Sequence, residues 1–179
     1  MDKKEIRKHI KVQRLALDKN RKYADANIVF SKLEETKEFK NSQNILFYYS
    51  LPDELPTLEF LKKWSSSKNI YLTRVNGENL EILAYNDSKL SIGSFNIEEP
   101  IGDEIIEPHS IDLIIVPAVA FDFNKNRLGR GKGFYDRLLS EATKAIKIGV
   151  GYDFQIFETI PIEPHDIPMD IVISPNHII

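Results

Sequence analysis

Ile111-Asp-Leu-Ile-Ile-Val-Pro117 constrains the fold more than any other stretch. It is a nearly continuous apolar run of strand length, and a run without polar alternation belongs to a strand buried on both faces. Such a strand needs helices above and below it. The chain is therefore read as a three-layer α/β/α fold with a mostly parallel central sheet. Asn44–Ser50 reads as a second buried strand. The loop Leu51–Thr57 and a helix through about Trp64 follow, then a strand over Asn69–Val75, which completes a βαβ unit. Asn76-Gly77, a hairpin-type dipeptide, leads to a strand over Leu80–Tyr85. Further strands are expected at Ala145–Val150 and Ile171–Ser174, with one helical turn over Tyr152–Phe157.

Residues 2–18 place Ile6, Ile10, Leu15 and Leu17 among cations, the pattern of an amphipathic helix with a basic face. That face carries Lys3, Lys4, Arg7, Lys8 and Lys11, and it matters to function only if the helix lies beside a ligand site. A second helix is expected over about 21–38, with Tyr23, Ala26, Val29, Phe30 and Leu33 as its stripe. Residues 86–110 lack periodicity and hold Gly93, Pro100, Gly102 and Pro108, a long connection of the kind that shapes a pocket. No repeat or linker interrupts the chain, so residues 1–179 are expected to form one domain.

After the central strand comes Arg127-Leu-Gly-Arg-Gly-Lys-Gly-Phe-Tyr-Asp136, which runs into a helix over about 133–143. Gly129, Gly131 and Gly133 alternate with Arg130 and Lys132, and Arg127 stands ahead of them. Glycine admits backbone conformations with positive φ and close approach of a ligand. Free N–H groups ahead of a helix N-terminus favour an anion. The segment is read as a polyphosphate cradle, with a solvated turn as the plainer alternative. It is no Walker A loop, because Gly133 follows Lys132 and no Ser or Thr is placed to hold a metal. Its glycine spacing is not that of a dinucleotide fingerprint either.

A net charge of −3 argues against broad nonspecific nucleic-acid binding. The chain has no cysteine, which removes disulfides, thiolate metal sites and cysteine nucleophiles. The segment from Met1 to His9 lacks a signal-peptide apolar core, and no run approaches the length of a membrane span. A cytoplasmic, monomeric protein acting on small molecules is expected, without nucleic-acid or membrane partners.

A phosphate loop of this kind works with a divalent cation, and hard oxygen ligands suit magnesium. Asp136 sits in the first turn after the loop, and Asp166 and Asp170 lie in the proline-punctuated segment 160–170. Asp136 is equally a helix N-terminal acid, and Asp166 equally a turn residue. Asp53 and Glu54 follow a strand end and face the same mouth as the glycine loop. Glu54 is suited to an amino-bearing heterocycle or to capping. Tyr48, Tyr49, Phe134 and Tyr135 offer aromatic surface or core.

The glycine segment resembles the signature of the 5-formyltetrahydrofolate cyclo-ligase family. So, in the same order, do the basic helix Lys3–Arg7, Tyr-Ser-Leu-Pro-Asp-Glu at 49–54, Tyr-Leu-Thr-Arg-Val at 71–75, Val-Pro-Ala-Val-Ala-Phe-Asp at 116–122, and Pro161 with His165, Asp166 and Asp170. The resemblance implies an ATP- and Mg²⁺-dependent conversion of 5-formyltetrahydrofolate to 5,10-methenyltetrahydrofolate, with release of ADP and phosphate. It implies ATP contacts from Lys3, Lys4 and Arg7 and from Arg127, Leu128, Gly129, Arg130, Gly131, Lys132, Gly133, Phe134 and Tyr135. It implies folate contacts from Tyr49, Glu54, Phe95 and Arg130 to Phe134, and magnesium on Asp136 and Asp166. Arg130, Lys132 and Tyr135 are the implied catalytic groups. Phe134 stands where many members carry Tyr, and Thr73 where Pro is common. Two other readings keep the glycine loop: a phosphate-ester enzyme without nucleotide hydrolysis, and a nucleotide- or RNA-binding module.

Overall fold

The computed structural model describes residues 1–179. Helices α1 (Lys3–Ala16), α2 (Lys19–Glu35) and the short α3 (Lys37–Asn41) precede β1 (Asn44–Leu46). α4 (Leu58–Trp64) links it to β2 (Asn69–Asn76), which turns into β3 (Asn79–Ala84). A hairpin of β4 (Leu90–Ile92) and β5 (Glu98–Pro100) occupies the long connection to β6 (Leu113–Pro117). Then come β7 (Ala120–Asp122), β8 (Arg127–Leu128), α5 (Phe134–Glu141), β9 (Ile146–Val150), β10 (Ile156–Phe157) and β11 (Ile171–Ile173).

The central sheet has the order β11-β9-β6-β1-β2-β3. All its pairs are parallel except β2 with β3, where a two-residue turn at Gly77 and Glu78 forces the antiparallel return. Side-chain alternation divides the core. Ile45, Phe47, Leu113 and Ile115 face α2, α3 and α4 through Val29, Leu33, Phe39, Phe60 and Leu61. Leu46, Ile114 and Val116 face α5 through Leu138, Leu139 and Ala142. A strand pressed between two such layers has no solvent side, which is why β6 reads as an unbroken apolar run.

Three expectations are corrected. Leu15 is not part of the buried stripe of α1, being 73% exposed, whereas Arg14 beside it is 3% exposed. Ala120–Asp122, Arg127–Leu128 and the end of the 152–157 turn are strands. β7 and β8 pair with each other and β10 pairs with β7, forming a separate three-stranded sheet under α1. Ile6 and Ile10 pack there on Val119, Ala120, Leu128 and Ile160. The second helix stops at Glu35, where Thr36 caps α3 instead by accepting from Phe39 N–H at 3.2 Å, and Tyr23 on its first half is exposed.

Candidate active site

From β1 the chain passes outward through α4 to β2, and from β6 it passes outward in the other direction to β9 and β11. Neighbouring strands β1 and β6 are therefore the point where strand order reverses, and their following loops leave on opposite faces. A crevice opens at their carboxyl ends, the usual ligand position in open α/β sheets. The loop after β1 supplies Asp53 and Glu54. The loop after β6 leads through β7 and β8 to the glycine segment.

Gly131 (φ +97°) and Gly133 (φ +71°) lie in the left-handed region. The left-handed conformation requires glycine at 133, since the Arg137 Nη1 that a Cβ would meet at 2.6 Å is the tip of an exposed side chain and is free to move aside. No side chain caps α5, whose first-turn N–H groups stay free for an anion. Arg130, Gly131 and Lys132 are exposed, and Lys132 Nζ lies 5.9 Å from the centroid of Phe95 without a carboxylate partner. Leu128 is core instead, packed under α1.

The basic helix does lie beside this loop. Arg7 Nε donates to Gly129 O at 3.0 Å. Lys3 Nζ reaches Asp166 Oδ2 at 2.8 Å and Glu163 Oε2 at 3.6 Å. Lys4 points to solvent. Between α1 and the loop is a cavity of about 290 Å³ walled by Arg7, Lys11, Arg14, Asp53 and Arg130. Arg130 Nη2 donates to Asp53 Oδ1 at 2.8 Å and Glu54 Oε1 at 3.2 Å, joining the two walls of the crevice. Glu54 is buried, and its other oxygen accepts from Leu51 N–H at 3.0 Å. Burial works to raise the Asp53 carboxyl, but the guanidinium groups of Arg14 and then Arg130 hold it below the usual range.

Asp136 and Asp166 lie in different charge pairs. Asp136 Oδ1 accepts from Arg127 Nη2 at 2.9 Å. Asp166 shares a cluster with Glu163 and His165, whose potential ligand atoms lie within 4.8 Å of one another. Burial works to raise the Asp166 carboxyl, and hydrogen bonds from Lys3 and the Glu163 N–H hold it low. Carboxylate oxygens are the right donors for a hard cation, and each of the two would exchange an ammonium or guanidinium partner for it. Asp170 is turned away, accepting from Lys147 N–H at 2.7 Å.

The aromatic groups gather on one side. Phe95 and Phe134 stand edge to face at 6.1 Å, and the Arg127 guanidinium lies 5.6 Å from the Tyr135 ring. Burial pushes the phenols of Tyr135 and Tyr49 well up, so both are neutral donors at ordinary pH. Tyr48 is core, donating to Leu55 O at 3.2 Å. Phe95 and Asn96 both have positive φ (59° and 57°), holding the 58%-exposed Phe95 ring out of its hairpin.

Sequence reasoning missed Arg14. Its Nη2 donates to Ala118 O at 2.6 Å and its Nη1 to Asp53 Oδ2 at 3.1 Å. Arg127 is its counterpart, donating to Pro117 O at 3.2 Å. Both Nε atoms are buried without partners. The signal was present as an arginine four residues after Ile10, in register with the buried Ile6 and Ile10 rather than with the basic face.

These features define an α/β protein with an exposed, cation-bearing glycine loop at a strand-order switch point. The chain matches the model of the 5-formyltetrahydrofolate cyclo-ligase family over residues 1–175, and it belongs to that family of ligases. The 5-formyltetrahydrofolate cyclo-ligase of Escherichia coli K12 is 32% identical over 146 residues, covering 76% of this chain and 80% of the relative. The mouse protein of that name is 26% identical over 187 residues, covering 96% and 92%. The solved structure of Aquifex aeolicus 5,10-methenyltetrahydrofolate synthetase superposes with a TM-score of 0.91 at 34% identity, covering 99% of this chain and 92% of that one.

Proposed function

We propose that the chain converts 5-formyltetrahydrofolate to 5,10-methenyltetrahydrofolate, with ATP as co-substrate, Mg²⁺ as cofactor and ADP and phosphate as by-products. We take it to act as a single-domain monomer in the cytoplasm. The observation that carries this reading is the meeting of Arg7, the glycine loop and the Asp53-Glu54 pair in one crevice, within a chain of this family.

The chemistry requires a formyl oxygen to become a leaving group. Its attack on the terminal phosphorus of ATP expels ADP and gives a phosphorylated formyl group. The folate N10 then attacks the formyl carbon, and phosphate departs with the former formyl oxygen as N10 loses its proton. The protein's share is alignment and neutralisation of spreading negative charge. Arg7, Arg130, Lys132 and the free N–H groups from Gly129 to Tyr135 hold the phosphates, with Lys3 and Lys4 at the outer edge. Arg127 fixes the loop from beneath. Glu54 accepts from the donor edge of the pterin, and Tyr49, Phe95 and Phe134 supply flat apolar walls. Tyr135, a neutral phenol beside the Arg127 guanidinium, would supply a hydrogen-bond donor next to the loop. Asp136 and Asp166 would hold the magnesium ion, which supplies charge neutralisation at the phosphates.

The test is an incubation of protein with Mg·ATP and 5-formyltetrahydrofolate. Near-ultraviolet absorbance of the methenyl product should rise in step with ADP. ADP release independent of the folate, or no product above background, overturns the reading.

A further inference from the structure

The Arg130 guanidinium is half exposed and is held by two carboxylates. Pairing of a half-exposed guanidinium contributes little and fixes little by itself. What lies behind Asp53 differs. Asp53 divides its oxygens, Oδ1 for Arg130 and Oδ2 for Arg14. Arg14 is buried, and its second donor is committed to Ala118 O at the end of β6. A buried charge is screened far less than an exposed one. A continuous path thus runs from the central strand through Arg14 and Asp53 to Arg130. Without Asp53, Arg130 would keep only Glu54 and would cover that carboxylate.

We propose that Arg14 is a positioning residue of the site. From α1 it orients Asp53, and Asp53 holds Arg130 over the cavity between α1 and the glycine loop, where an anionic ligand meets it. The proposal rests on the reading of Arg130 as a ligand contact.

The test is a mutant cycle in the full chain: Arg14→Gln, Asp53→Asn and the double variant. Three quantities are read: the dissociation constant of ATP by calorimetry, the split between kcat and KM, and the Arg130 Nε–Hε resonance without ligand. Asp53→Asn should melt below the parent, because it strips the buried Arg14 of its carboxylate, and should weaken ATP binding about tenfold, the loss expected for one charge-assisted bond. The loss should fall on KM for ATP more than on kcat, and the Arg130 resonance should move or broaden. Arg14→Gln should reproduce these effects, and the double variant should be no weaker than Asp53→Asn. Losses that multiply in the double variant would overturn the path through Asp53, as would full ATP affinity in Asp53→Asn. If Arg14→Gln does not fold, Arg14→Lys takes its place in the same cycle, since it keeps the buried charge but loses the two-pronged reach. Normal affinity for both substrates in Arg130→Ala would instead remove Arg130 as a ligand contact. The resonance, which needs no ligand, then decides on positioning: an unchanged signal in the Arg14 variant refutes it.

Discussion

Arg127 Nη2 stands 2.9 Å from Asp136 Oδ1, tying the first residue of the glycine segment to the first turn of α5. Arg127 is buried with its Nε unpartnered, so Asp136 carries most of its compensation. We predict that Asp136→Asn costs about 1–3 kcal/mol in magnesium-free urea denaturation, less than a fully buried pair because Asp136 is partly exposed. In the assay of turnover, the same variant should need more magnesium for half-maximal rate. An unchanged magnesium titration would leave Asp136 with the structural role alone.

Lys132 supports little in the fold, since its ammonium is exposed, has no carboxylate partner and faces only the exposed Phe95 ring. Lys132→Ala should therefore melt like the parent while turnover falls by about 100-fold or more, the usual scale for removing one preorganised charge from a transferring group. Parallel melting curves and single-turnover rates check both halves.

Gly133→Ala should be costly through the backbone, before any ligand is bound. The cost comes from a left-handed backbone at φ +71°, while the exposed Arg137 side chain moves aside for the new Cβ. A loss of about 1–2 kcal/mol in chemical denaturation is expected, with a weaker phosphate site because the start of α5 shifts.

Phe95→Gly should separate stability from binding. Glycine removes the strain of φ 59°, which offsets the lost contact with Phe134, so stability should stay within about 1 kcal/mol of the parent. Folate affinity, read by fluorescence titration, should fall about tenfold with the loss of an aromatic wall.

Acid sensitivity has a source away from the crevice. Burial works to raise the Asp153 carboxyl, but the Ser174 hydroxyl, the Asn176 amides and His177 hold it below its ordinary 3.8. A depressed carboxyl stabilises the fold fully above its unfolded value and loses that contribution as pH falls through 3.8 towards the folded value. Asp153→Asn should lower stability at neutral pH and flatten the decline below pH ~4 in melts taken across pH.

The central layer was legible because β1, β6 and β9 are buried on both faces, and burial on both faces leaves apolar runs. β7, β8 and β10 were not. At two or three residues each they have no room for a period, and they exist as strands only because they meet under α1. Gly131, Lys132 and Glu54 were visible in the site as a spacing or a strand end. Arg14 was hidden for a physical reason. An arginine at the end of a cation-rich helix reads as solvated, and only the carbonyl of Ala118 and the carboxylate of Asp53, both remote in sequence, make its burial tolerable.

The reach of α1 has a consequence for biosynthesis. Its partners Ala118, Gly129 and Asp166 lie 104 residues beyond Arg14, 122 beyond Arg7 and 163 beyond Lys3. A growing chain thus exposes α1 long before anything exists for Ile6, Ile10 and Arg14 to settle against, and contacts so distant in sequence form late. Helices α2 to α4 with strands β1 to β3, all complete by residue 84, are able to condense first. The crevice gains its helical wall only once residues 118–166 have emerged, so binding competence should trail compaction in time.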